Sequence, residues 1–148
     1  AGVPKVLTCR NGDLVKLGPG DPGIIDELPS GRLYKDGRIL EDAKSRAVVE
    51  RRKIGFAGCV FVAIAMTEKG ELADDPEVDL VGVPEKNAEG EVLDEIVFDV
   101  VVSTVEGLPR ARRRDPDALA ESVRRAVRAA VNEEWGKKPL CFVHVLEV

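Results

Sequence analysis

Seven arginines fall within nineteen residues of one another: Arg110, Arg112, Arg113, Arg114, Arg124, Arg125 and Arg128, with Lys137 and Lys138 shortly after. A guanidinium presents a planar fork of donors that matches phosphate and carboxylate oxygens. The chemistry such a run can do is therefore anion recognition rather than catalysis. Arg124 and Arg128 stand four apart, on one face of a helix, and Glu121 supplies an acid three residues before Arg124. Three readings fit the pattern. The arginines form a solvated helix face with local ion pairs, or they touch RNA phosphates, or they meet an acidic partner or second subunit. The candidate contact residues are Arg110, Arg112, Arg113, Arg114, Arg124 and Arg128. No aromatic residues interleave with them to stack bases, so the contact expected is with backbone or protein rather than with sequence.

Other chemistry is sparse. A catalytic zinc needs three or more ligands held together, and the chain has one histidine, His144, in the middle of an apolar run. It reads as a residue on one face of a strand. Cys9, Cys59 and Cys141 are odd in number and far apart, and read as buried reduced thiols of a cytosolic protein. Gly18-Pro19-Gly20 and Gly55-Phe56-Ala57-Gly58 lack the spacing of a phosphate loop. No catalytic constellation is visible.

The elements that must position these residues follow from composition and period. The 148 residues are 44% hydrophobic and 33% charged, as in a globular protein, with a core resting on Val, Leu, Ile and Ala because aromatics are 4%. No apolar run reaches the roughly 18 residues of a membrane span, and no membrane partner is expected. The net charge of −5 is uneven: residues 110–138 carry about +4 and the remainder about −9, chiefly between residues 68 and 99.

Three sections are expected, 1–20, 21–53 and 54–148. In the first, Val6 to Cys9 and Leu14 to Leu17 are joined through Asn11-Gly12-Asp13, a strong hairpin signal. An isolated hairpin is marginal in water, so this one is expected to belong to a sheet whose other strands lie outside this sequence. In the second, Arg32 to Tyr34 and Arg38 to Leu40 form a hairpin turning at Asp36-Gly37, followed by a polar helix from Glu41 to Arg52. The third is an α+β domain. Strands Phe56–Met66 and Val78–Val83 pair antiparallel. Leu93, Ile96, Val97, Val100, Val101 and Val105 make a helix stopped by Gly107 and Pro109. A second helix starts at Asp115-Pro116, as N-cap and N1, and closes at Gly136. A last strand runs from Leu140 to Leu146. The order β-β-α-α-β fits a small three-stranded sheet with two helices on one face. Such a sheet leaves a face or an edge available to a partner.

Several short stretches, taken in order, carry a likeness: Gly2-Val3-Pro4, Asn11-Gly12-Asp13 with Val15 to Gly20, Pro29 to Tyr34 with Asp36-Gly37, Val49 to Lys53, Arg110 to Arg114, and Trp135 to Pro139. Together they resemble the C-terminal portion of bacterial ribonuclease J, a metallo-β-lactamase-type ribonuclease with an inserted β-CASP domain. The resemblance implies that residues 1–20 are the final strands of the metallo-β-lactamase domain, 21–53 a linker and 54–148 the C-terminal domain. It implies a parent that hydrolyses RNA in the cytoplasm with zinc bound by residues outside this sequence, so no catalytic residue and no cofactor is assigned here. It also implies that Asp36 contributes to a structural calcium site completed by the rest of the parent. The function implied is a non-catalytic assembly and support module, self-associating as a dimer or higher and meeting the catalytic domains. The alternative is an autonomous domain that binds RNA backbone through Arg110 to Arg128.

Overall fold

The computed structural model describes residues 2–148 and divides into two compact units, the first ending at Val48 and the second spanning Val49–Val148. The first unit holds two separate hairpins. Strand β1 (Asp13–Lys16) pairs antiparallel with β2 (Gly23–Glu27), and β3 (Leu33–Asp36) pairs antiparallel with β4 (Ile39–Asp42).

The first hairpin corrects the sequence expectation. Val6 to Cys9 is not a strand, and the Gly-Pro-rich stretch after Leu17 is the loop that joins β1 to β2. Asn11-Gly12 does turn the chain, with Asp13 N–H donating to Arg10 O, but the turn leads into β1 rather than closing a hairpin. Strand β2 takes the place beside β1 that Val6 to Cys9 were expected to take, and the residues after β2 reach the turn. Leu28 N–H donates to Gly12 O at 2.7 Å and Ser30 Oγ donates to Asn11 O at 3.0 Å. The second hairpin turns one residue later than expected. Asp36 lies opposite Ile39, so Gly37 and Arg38 are the central pair, and Glu41 and Asp42 extend β4.

Helix α1 (Arg46–Ala57) starts later than Glu41 and runs past Arg52. It absorbs Phe56 and Ala57, which the apolar pattern gives to the following strand. Gly58 explains the break. Its φ is +65°, and its N–H donates to Ile54 O at 2.7 Å, so it ends the helix in the left-handed conformation that favours glycine.

The second unit then has β5 (Cys59–Met66), β6 (Glu77–Val81), α2 (Leu93–Gly107), the single turn α3 (Arg110–Arg113), α4 (Pro116–Trp135) and β7 (Leu140–Glu147). The sheet order is β6-β5-β7, with β6 antiparallel and β7 parallel to the central strand. It is an α+β fold with the expected β-β-α-α-β order. Leu93, Val97, Val101 and Val105 line α2, and Leu119, Val123, Val127 and Val131 line α4. Leu93 apart, both stripes join one core with Val60, Val62, Ile64 and Met66 of β5 and Cys141 and Val143 of β7. Burying each of these aliphatic side chains contributes roughly 1.5–3 kcal/mol before entropy is counted. The ends of α4 follow the sequence expectation. Asp115 accepts from the N–H groups of Asp117 and Ala118, and Gly136 closes the helix with φ +78°.

Candidate interaction site

Because side chains alternate along a strand, the residues of β5 that skip the helical layer are Phe61, Ala63 and Ala65. The register sets Phe61 beside Phe142, Ala63 beside His144, and Ala65 beside Leu146. On the other side Phe61 lies beside Asp79 and Ala63 beside Glu77. The two phenylalanine rings stack with centroids 5.1 Å apart and planes 15° from parallel. They are 40% and 42% exposed, and Leu146 and Val81 more so, at 58% and 52%. The sheet therefore has one face sealed by α2 and α4 and one open apolar face. The sequence pattern held a signal for it: in Phe56 to Met66 the only bulky residue at an odd strand position after Gly58 is Phe61. His144 sits on this face and is exposed.

The basic run does not form one patch. Arg110 Nε donates to Lys69 O, and Arg114 Nε donates to Glu68 O, both at 3.0 Å. These two arginines hold the turn that leaves β5. Arg113 is half-buried and flanks a cleft of about 280 Å³ with Arg114, but Glu68 and Glu147 line the same cleft and balance the charge. Arg112 is exposed.

Further along α4 the picture differs. The Glu121 carboxylate accepts from Arg125 Nε at 2.8 Å and from Arg124 Nη1. The hydrogen bond from Arg125, and then that from Arg124, hold the Glu121 carboxyl below the usual carboxylate range. Arg124, Arg125, Arg128 and Lys138, with Glu121 and Ala129, line a groove of about 250 Å³. The groove lies by the start of β7. Burial pushes the Cys141 thiol up to about 11, and Arg124 and Arg128 are close enough to pull it the other way. Lys137 points elsewhere, donating to Phe56 O at 2.9 Å with its ammonium over the Phe56 and Trp135 rings. Of the candidate contact residues, Arg124 and Arg128 meet in one groove and Arg110 and Arg114 serve the β5 turn, while Arg125 and Lys138, members of the basic run but not among the candidate contacts, join the groove. Sequence spacing does bring Arg125 to Glu121, at i,i+4, and that was the signal available.

Asp36 ends β3, opposite Ile39. Among the described residues no three His, Cys, Asp or Glu side chains converge to hold a metal ion. Asp36 supplies one carboxylate, and among the described residues no second and third donor join it, so it holds neither zinc nor calcium by itself. Among the described residues no helix is long and apolar enough to cross a membrane.

Residues 46–148, which hold all of α1, the three-stranded sheet and its helices, match the model of the ribonuclease J C-terminal domain. Ribonuclease J of Sinorhizobium meliloti is 43% identical over 148 residues, covering all of this chain and 26% of that protein. Ribonuclease J of Mycobacterium tuberculosis is 28% identical over 149 residues, covering 99% of the chain and 26% of the relative. That of Corynebacterium glutamicum is 25% identical over 144 residues, covering 95% and 19%. The chain thus spans between about a fifth and a quarter of the length of these relatives. It belongs to the ribonuclease J C-terminal domain family.

Proposed function

We propose that this chain is a non-catalytic assembly and support module of a ribonuclease J-like RNA hydrolase, and that copies associate through the open face of the β6-β5-β7 sheet. The observation that carries the reading is the stacked Phe61–Phe142 pair on that face, with Val81 and Leu146 exposed beside it. The occupant is a second copy of the same chain. Glu77, Ala63 and His144 lie level across the three strands. A two-fold axis running along β5 sets β6 of one copy over β7 of the other, so Glu77 meets His144 of the second copy and Phe61 meets its own counterpart. Such an interface is isologous and self-complementary, with two sheets about 10 Å apart as in a sandwich.

The catalytic zinc of such a parent lies with residues outside this sequence. Asp36 lends one carboxylate to a calcium site that the rest of the parent completes, because calcium requires six or more oxygen ligands. The three cysteines are unpaired, Cys59 and Cys141 buried as expected and Cys9 exposed against expectation because Val6 to Cys9 is not a strand; unpaired thiols support a reducing, cytoplasmic setting.

Light scattering coupled to size exclusion tests the reading on the full chain. Wild type is expected to run above monomer mass, and Phe61→Asp combined with Phe142→Asp is expected to run as a folded monomer. A monomeric wild type at hundreds of micromolar, or a double variant that associates like wild type, overturns it.

A further inference from the structure

The second unit is electrically polar across its sheet. At the β6 edge, Glu77 and Asp79 of the strand accompany Asp94, Glu95 and Asp99 of α2. At the opposite edge, Arg124, Arg125, Arg128 and Lys138 line the groove beside β7 with a single acid, Glu121, among them. Glu121 is consumed by Arg124 and Arg125. Arg128 and Lys138 are exposed and have no ion-pair or hydrogen-bond partner among the described residues. A groove with net charge of about +3 in a chain of net charge −5 is a local reversal of sign.

We propose that the α4–β7 groove is a binding site for the phosphate backbone of RNA, with Arg128 and Lys138 as the principal phosphate contacts. It rests on the ribonuclease reading only in naming RNA as the polyanion. Arg124 and Arg125 serve it as fixed forks, because Glu121 already holds their side chains in place and less rotamer freedom is lost on binding. The acidic β6 edge repels the same strand, which confines RNA to one side of the sheet. No aromatic side chain lines the groove, so bases are not stacked and the site does not read sequence. Arg112, Arg113 and the turn-holding Arg110 and Arg114 are outside the site. Phosphate fits better than an acidic protein segment because four cationic groups converge in a volume of about 250 Å³ with no apolar anchor, and hot spots between proteins ordinarily need one.

Fluorescence anisotropy of the full chain with a mixed-sequence 20-nucleotide RNA, read across a salt series, tests the proposal. Wild type is expected to bind with an affinity that falls steeply with salt. Arg128→Glu with Lys138→Glu is expected to lose about tenfold or more at low salt and to flatten the log–log salt slope by about one to two. Arg128→Lys with Lys138→Arg keeps the charge and is expected to keep most of the affinity, which separates binding from folding. Arg112→Ala is expected to bind like wild type. No RNA binding by wild type at 50 mM salt overturns the proposal, as does an equal loss in Arg112→Ala. Tighter binding to polyglutamate than to RNA overturns it in favour of an acidic partner. Light scattering on the charge-reversed variant keeps the two readings apart: its mass is expected to stay that of wild type, whereas the Phe61→Asp, Phe142→Asp variant is expected to lose association and keep its RNA affinity per chain. A charge-reversed variant that becomes monomeric assigns the groove to self-association and overturns the RNA site.

Discussion

Phe61 and Phe142 occupy the same level on neighbouring parallel strands, with rings stacked 5.1 Å apart over a face that no helix covers. The stacked rings touch each other, so their energies are coupled. A double-mutant cycle with Phe61→Ala and Phe142→Ala, followed by urea unfolding at low protein concentration, is expected to give a coupling of about 0.5–1.5 kcal/mol. At concentrations where copies associate, the apparent coupling rises, because association stabilises only the folded chain. A coupling near zero at every concentration contradicts the stacked pair.

Gly58 is the most constrained point between α1 and the sheet. A Cβ there would stand 2.7 Å from the backbone of Gly82 and from Val81 O, in addition to the positive φ. Gly90 has φ +89° and open space around it. Gly90→Ala is therefore expected to cost about 1–2 kcal/mol, the left-handed term alone. Gly58→Ala is expected to cost at least about 2 kcal/mol more, since neither strand can move without breaking the β5–β6 ladder. Thermal unfolding of the two variants side by side checks the order, and equal losses would show that the close approach does not matter.

These two positions show what was and was not legible in the sequence. The second unit was legible because its helices carry four-residue stripes, such as Leu119, Val123, Val127 and Val131, and are punctuated by Asp115-Pro116 and Gly136. Local signals and tertiary packing agree there. The start of β5 was not legible, because Phe56-Ala57 is as apolar as the strand it precedes, and only Gly58 separates helix from strand. The first hairpin failed for a different reason. Asn11-Gly12 has a real turn, but the pairing of β1 is decided by Gly23–Glu27 and by Leu28, which reach Gly12 from the far side of a loop. The basic run was legible as charge but not as geometry. Whether an arginine is spent on a carbonyl, as Arg114 is on Glu68 O, depends on a turn more than forty residues away.

That turn gives a third test. Arg110 and Arg114 clasp the carbonyls of Lys69 and Glu68, beside a turn in which Gly70 N–H donates to Thr67 O at 2.8 Å. Both bonds are charge-assisted but exposed, so each is expected to contribute about 0.5–1.5 kcal/mol. In Arg110→Ala with Arg114→Ala, hydrogen exchange at the Gly70 and Glu71 amides is expected to quicken by about tenfold while the core of β5 keeps its protection. Unchanged exchange at the turn would mean that the arginines are not holding it, and would return them to the pool of candidate RNA contacts.

Cys141 carries the last prediction, and it concerns pH. The thiol belongs to the core under the helices, with Val60 opposite it in the sheet, and burial raises it from its ordinary value near 9 to about 11. Between those values the unfolded chain has lost the thiol proton while the folded chain still holds it. The folded state then binds more protons, so stability falls as pH rises from about 9 toward 11 and is fully retained below 9. Urea midpoints are expected to drop over that window in wild type and to drop less in Cys141→Ala, compared with each variant's own value at pH 8. The same burial governs reactivity, since the thiolate is the nucleophile. At pH 8 an alkylating reagent is expected to modify the exposed Cys9 quickly and to leave Cys141 intact until denaturant is added. Modification of Cys141 at the rate of Cys9 in native buffer would show that the α4–β7 layer opens far more readily than its packing implies.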